Sequence, residues 1–261
     1  MPSIVVLGAR NLGGAILGHH LNNGWRGAAI ARSPETLETV RAAGGLPLRA
    51  DASDPGELRA ALEQAKAELG RLDVIVNAVS AARPTKPGPF GGGTLSEATL
   101  EDYRGWTGAV AEQAFVFLSE GVRAGASTLI QVTGGSARRA MAGRGLWAAG
   151  AAATRALVHA AAQELRADGV HVALLIVDAT IDSPKTAAMI AGKPDDETAD
   201  QAEIARAVEY LAGQSPRAFT HELVVTPAGD RSAGAPPVVG RLRPPAPADR
   251  PGRWRRSSTR R

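Results

Sequence analysis

Gly8 and Gly13 bracket the turn Gly8-Ala9-Arg10-Asn11-Leu12-Gly13-Gly14, which follows the apolar run Ile4 to Leu7 and precedes a stretch that reads as helix through about Asn23. Glycines at a strand-to-helix turn let backbone approach a phosphate closely, and the unpaired N–H groups at the positive end of the helix attract the anion. That is the architecture of a dinucleotide site. Gly27 to Ala31 reads as a second strand and delivers Ala31-Arg32-Ser33 to the place where such a unit meets the adenosine ribose. An acidic residue there would bond both ribose hydroxyls of NAD. Arg32 instead suits the additional phosphate of NADP, so NADP is expected over NAD.

Other chemistry has less support. With no cysteine in the 261 residues, disulfides, thiolate metal sites and a cysteine nucleophile are all unavailable, which fits a cytoplasmic location. His19 and His20 are adjacent on a predicted helix and point in different directions, poor geometry for a metal, and no metal site is expected. Gly-x-Ser-x-Gly does not occur. His159 lies far along a long predicted helix and reads as a packed or surface residue. No apolar run is long enough for a membrane span and the N-terminus lacks a signal-peptide pattern, so no membrane partner is expected.

The net charge of +4 resides in the C-terminus: residues 241–261 carry eight arginines against Asp249 alone. The remainder has 22 basic and 25 acidic residues, so a nucleic-acid partner for the whole domain is unsupported. The chain divides into a dinucleotide-binding domain, 1–234, and a Pro/Arg-rich tail, 235–261, with too little apolar content to fold.

The elements that must position the glycine turn alternate along the chain. Helices are expected over Pro34–Ala43, Pro55–Leu69, Leu100–Val122, Trp147–Arg166, Pro184–Ala191 and Gln201–Ala212. Strands are expected over Leu46–Arg49, Leu72–Val76, Thr128–Val132, His171–Val177 and Leu223–Thr226. Such alternation implies an α/β fold: a Rossmann-type, doubly wound, mostly parallel sheet with helices on both faces and ligands at the carboxyl ends of the strands. The Gly/Pro/Thr-rich stretch Ala81–Leu95 is long for a connection and reads as a loop at that rim.

The glycine turn, Asp51 after the third strand, Asn77-Ala78 after the fourth and Ile181-Asp182-Ser183-Pro184 after the sixth, in this order, resemble the short-chain dehydrogenase/reductase family over about residues 3–230. Val177 to Pro184 and Phe219 to Leu223 resemble a divergent bacterial branch. The resemblance implies seven strands in the order 3-2-1-4-5-6-7. It implies that Gly8, Arg10, Asn11, Leu12 and Gly13 wrap the pyrophosphate, with Arg10 and Arg32 facing the 2′-phosphate. Asp51 and Ala52 would contact adenine, Asn77, Ala78 and Val79 would line the wall between the two halves of the dinucleotide, and Ile181 would lie near the nicotinamide amide. Gly8 and Gly13 are five apart, one fewer than the family spacing, and either a deletion beside Leu12 or Leu12 standing for the middle glycine would account for it.

The family's catalytic set does not carry over. A tyrosine there moves the proton, a lysine four residues on lowers its pKa, a serine positions the substrate oxygen and an asparagine holds a water. The matching positions hold Trp147, Ala151, Gly134 and Val110, so no catalytic residue is assigned. Thr133 and Ser136, with Ser80 and Asp178 nearby, are the possible substitutes, although such residues also cap turns for local reasons. Three functions stay open: an NAD(P)-dependent oxidoreductase acting on a small carbonyl or alcohol substrate through an atypical site, an NADP-binding sensor or partner-binding protein without turnover, and a non-redox enzyme using the same pocket. A homodimer or homotetramer through the helices near 100–122 and 147–166 is also expected, helped by the small residues Ala152, Ala156, Ala160 and Ala161.

Overall fold

The computed structural model describes residues 1–79 and 90–229. Ser80, residues 81–89 of the long connection and the 235–261 tail lie outside the described residues, so the expectations for them do too. Seven strands, β1 (Ser3–Leu7), β2 (Arg26–Ala31), β3 (Leu46–Arg49), β4 (Val74–Asn77), β5 (Thr128–Gly134), β6 (His171–Val177) and β7 (Glu222–Val225), form one sheet in the order β3-β2-β1-β4-β5-β6-β7. Every adjacent pair is parallel, so among the described residues the sheet has no antiparallel member.

The helices are α1 (Leu12–Asn22), α2 (Pro34–Ala42), α3 (Pro55–Leu69), α4 (Leu100–Tyr103), α5 (Ala109–Arg123), α6 (Gly145–Leu165), α7 (Ala187–Ile190) and α8 (Gln201–Ala212). Their starts follow local chemistry. Ser33 accepts from Thr36 N, Asp54 from Glu57 N and Asp200 from Glu203 N, and Pro34 and Pro55 open their helices where no N–H is needed.

Alternate residues of each strand feed opposite layers, as the pleat demands. Val5, Leu7, Ile75, Leu129, Val172 and Leu174 pack in one core with α3, α5 and α6. Ile4, Val6, Val74, Val76, Ile130 and Ala173 pack in the other with α1 and α8. With both faces covered, the carboxyl ends of the strands are where a ligand can reach backbone.

Two expected helices differ. The stretch over 100–122 is interrupted by a π-helical turn at Arg104–Gly108, which separates α4 from α5. Such turns recur at functional sites. Over 184–191 only Ala187–Ile190 is helical, because the Thr186 hydroxyl bonds Ile181 O (2.5 Å) and Ser183 O (3.0 Å) and holds the preceding residues in a tight turn.

α3 and α5 are joined by a buried acid. The Glu120 side chain is 1% exposed and takes two hydrogen bonds from Arg59 (2.9 and 3.0 Å) and one from Arg123. The Arg59 bonds, opposed by burial and aided by Arg123, hold its carboxyl below the usual glutamate range. A lowered folded pKa contributes stability that is complete above the ordinary glutamate value and is lost as pH falls through the folded one. Thermal melts should therefore find Glu120→Gln less stable than the parent at pH 7, with the gap closing as the pH drops below the ordinary glutamate value; a constant gap would refute the linkage.

Candidate functional site

The turn after β1 is built by close backbone approach. Gly8 has φ +82°, and a Cβ there would lie 3.0 Å from Val79 Cα. A Cβ on Gly13 would lie 2.1 Å from Gly8 O, and one on Gly14 2.6 Å from Ala9 O. Leu12 is the first residue of α1 and is buried, so the helix begins one residue before Gly13. Asn11 occupies the N-cap, yet its side chain makes no cap hydrogen bond, and the first turn of α1 has no acidic residue. The first N–H groups of α1 thus have no side-chain cap, as at α6, but at α1 they follow the glycine turn directly. These features fit the pyrophosphate of a dinucleotide.

The wall opposite this turn is held by three buried amides. Asn77 Nδ2 donates to Gln113 Oε1 (2.8 Å) and Gln131 Oε1 (2.7 Å), while Gln113 Nε2 donates to Asn77 Oδ1 (3.1 Å). Val79 N donates to the same Oδ1 at 3.2 Å, and Gln131 Nε2 to Val132 O at 2.8 Å. β4, β5 and α5 are thereby locked together, and Ala78 and Val79 are set against Gly8. Sequence reasoning singled out Asn77 but missed Gln113 and Gln131; Gln113, one turn after Val110, was the available signal.

At the ends of β2 and β3, Arg32 Nη1 donates to Asp51 Oδ2 at 3.1 Å, and the arginine side chain remains 74% exposed. Burial works to raise the Asp51 pKa, but the Ser53 amide and Arg32 outweigh it and the carboxyl sits below its usual range. Arg10 is exposed at the turn, and Ala52 is buried in the core. Ile181 is half-buried, its segment pinned by Asp182 N to Ala199 O and Ala199 N to Thr180 O, both 2.9 Å.

The positions matched to the family's catalytic residues are filled otherwise. Ala151 is fully buried in the core, and Val110 is buried against Gly150, where a Cβ would lie 2.9 Å from Val110 Cβ. Gly134 ends β5 with room for a side chain, since Val177 O, 4.0 Å away, is its nearest neighbour. Thr133 is half-buried and Ser136 is buried in the 3-10 turn Gly135–Ala137. Asp178 lies beside that turn, paired with Arg139 at 3.2 Å and Arg138 at 3.5 Å, and it occupies the space a Cβ on Gly135 would need. The two arginines, adjacent in sequence just after β5, were also missed.

Trp147 stands in a cluster of three rings. Its centroid is 5.4 Å from Phe90 and 6.0 Å from Trp106, with Phe90 and Trp106 5.3 Å apart. Thr107 Oγ1 donates to Leu146 O at 2.8 Å and fastens the π-turn to the start of α6. The histidines serve packing. His159 Nε2 lies 2.9 Å from Glu222 Oε2, beside Arg155, which binds the same carboxylate twice. His19 meets Glu209 of α8 at 2.7 Å, whereas His20 is buried edge-on against Trp25. No helix among the described residues is long and apolar enough to cross a membrane.

Comparison with known proteins follows the same lines. A family model described as enoyl-(acyl carrier protein) reductase matches residues 10–229. No curated protein matches. Among solved structures, an alcohol dehydrogenase from the archaeon Thermococcus sibiricus, complexed with 5-hydroxy-NADP, is similar at TM-score 0.68 and 22% identity over 87% of this chain and 97% of its own. A variant of actinorhodin polyketide ketoreductase with NADPH gives 0.72 and 20% over 88% and 97%. A double variant of a Serratia marcescens short-chain dehydrogenase/reductase gives 0.73 and 24% over 88% and 98%. The family match across most of the chain, joined to the strand order and the glycine turn, makes this chain a member of the short-chain dehydrogenase/reductase family.

Proposed function

We propose that the chain is an NADP(H)-dependent oxidoreductase acting on a small carbonyl or alcohol substrate, with an active site that lacks the family's asparagine, serine, tyrosine and lysine. The observation that carries this is the turn Gly8–Gly13 in front of α1, closed to any side chain at Gly13 and left without a side-chain cap. Bound there, the nicotinamide cofactor supplies the hydride. The N–H groups at the start of α1 hold the pyrophosphate, Asn77, Ala78 and Val79 form the wall behind it, and Ile181 lies toward the amide. Arg10 and Arg32 take the 2′-phosphate; structural neighbours carrying NADP, NADPH and 5-hydroxy-NADP support that choice. At the substrate end, the Thr133 and Ser136 hydroxyls orient the reacting oxygen, and a water supplies the proton that the family's tyrosine would give.

Calorimetric titration tests the cofactor choice. NADPH should bind more tightly than NADH, and Arg32→Ala should cost NADPH about tenfold, the scale of one hydrogen bond to a charged group, while leaving NADH unchanged. Equal affinities, or an unmoved NADPH affinity in the variant, would remove the proposal.

A second reading, a cofactor-binding protein without turnover, is favoured by one observation: Trp147 and Ala151 offer no titratable group where the family has its proton donor and lysine. Following NADPH absorbance against a broad carbonyl panel separates the two.

We also propose that the chain acts in the cytoplasm as a homodimer or homotetramer through α5 and α6. Ala152, Ala156 and Ala160 are exposed along α6, and Phe115 of α5 is 56% exposed, which supports helix-to-helix contact, whereas Ala161 packs against the core. Sedimentation should find a dimer or larger species at micromolar concentration, and monomer alone would exclude it.

A further inference from the structure

The ring cluster is assembled from three segments far apart in sequence. Phe90 is brought to α6 by Gly91, Gly92 and Gly93, with φ of +88°, +93° and +77°. A Cβ on Gly91 would lie 2.8 Å from Arg144 Cα, one on Gly92 2.5 Å from Leu146 Cδ1, and Gly93 pairs with Arg144 in an isolated parallel bridge. Only glycine permits both these backbone angles and this proximity. Trp106 enters from the π-turn and Trp147 from the first turn of α6.

Burial is graded across the three. Trp106 is 6% exposed, Trp147 is half-buried, and Phe90 is 41% exposed with the Arg144 guanidinium 5.5 Å over its ring. Here one ring is a fixed wall and two keep surface toward solvent, at the carboxyl end of β5, at the position from which the family's tyrosine would act. Leu95, beside Gly145 at the start of α6, extends the apolar rim and is 74% exposed.

Resting on the NADP(H) proposal above, we propose that the substrate of this site is a planar aromatic or conjugated carbonyl compound, stacked on Trp147 with Trp106 as the wall behind it and Phe90 at the rim. Aromatic rings prefer stacked or edge-to-face partners and gain from them beyond the area they bury. Desolvation alone would favour a saturated ring system of the same skeleton, which is the more apolar. A preference for the flat molecule therefore reports ring-on-ring contact.

Equilibrium dialysis of 2-acetylnaphthalene and its saturated counterpart 2-acetyldecalin, with and without NADPH, tests this on the full chain. The naphthalene should bind about two- to twelvefold more tightly. Phe90→Leu, which keeps apolar bulk and removes the ring, should abolish most of that ratio with little change in melting temperature, and Trp147→Leu should do the same. Equal binding of the two probes, tighter binding of the decalin, or an unchanged ratio in both variants would overturn the inference. Calorimetry with NADPH on the same samples isolates the cofactor proposal: if NADPH fails to bind, that proposal falls, while dialysis without cofactor still decides the ring preference.

Discussion

Gly13→Ala should lower NADPH affinity by about 5- to 100-fold, whereas Gly18→Ala, five residues further along the same helix, should leave it untouched. The new methyl at 13 would sit 2.1 Å from Gly8 O, a backbone atom that cannot swing aside, so the start of α1 must move away from β1. Overpacking of this kind costs about 1–3 kcal/mol. Most of that falls on the geometry by which the helix N–H groups meet the pyrophosphate, and roughly 1.4 kcal/mol is a factor of ten. At Gly18 nothing lies within 4 Å of the added atom, and alanine in a helix interior adds about 0.5–1 kcal/mol of stability. Calorimetry on both variants, with melting curves as the folding control, checks the pair. Similar NADPH binding by the Gly13 variant and the parent would mean that the phosphates are held elsewhere.

Restoring the family's residues together, Gly134→Ser, Trp147→Tyr and Ala151→Lys, should raise NADPH-dependent reduction of simple carbonyl compounds by about 10² to 10⁴, the usual worth of a positioned proton donor. The three sites differ in tolerance. Gly134 has open space, with its nearest neighbour 4.0 Å from the added Cβ. Trp147 leaves a ring cluster to which tyrosine can conform. Ala151 is fully buried, and a lysine there must thread its stem through packed side chains to bring the ammonium out, so the variant should also melt several degrees lower. If the natural protein is already fast and Thr133→Val or Ser136→Ala silences it, those hydroxyls hold the reacting oxygen as proposed, and the restored variant gains little.

Much of this fold is legible in the chain because its signals are local. Apolar runs such as Ile4–Leu7 and Val172–Val177, short and flanked by a nearby glycine, read as strands buried on both faces, and the caps Ser33, Asp54 and Asp200 lie within three residues of the amides they bind. The glycine turn after β1 was legible for the same reason, since strand, glycines and helix are contiguous. The π-turn at Arg104–Gly108 was not, because the change from one hydrogen-bond register to another leaves little mark on side-chain pattern. The ring cluster escaped too: Phe90, Trp106 and Trp147 each read as one aromatic residue in its own segment, and only the packing of α6 on the π-turn brings them together. Gln113 and Gln131 look like ordinary helix and strand residues until Asn77 is seen between them.

The amide triad around Asn77 has a consequence for how this cleft answers to acidity. None of its three members titrates in the physiological range, unlike a wall built on histidine or carboxylate. Proton concentration therefore has no handle on the spacing between Val79 and Gly8. With the proposed dinucleotide bound, its 2′-phosphate, with a second pKa of about 6, would be a group that changes charge beside this wall between about pH 6 and 8. A cleft of this kind is a passive receptor. The amide wall registers the charge state of what enters and does not change its own.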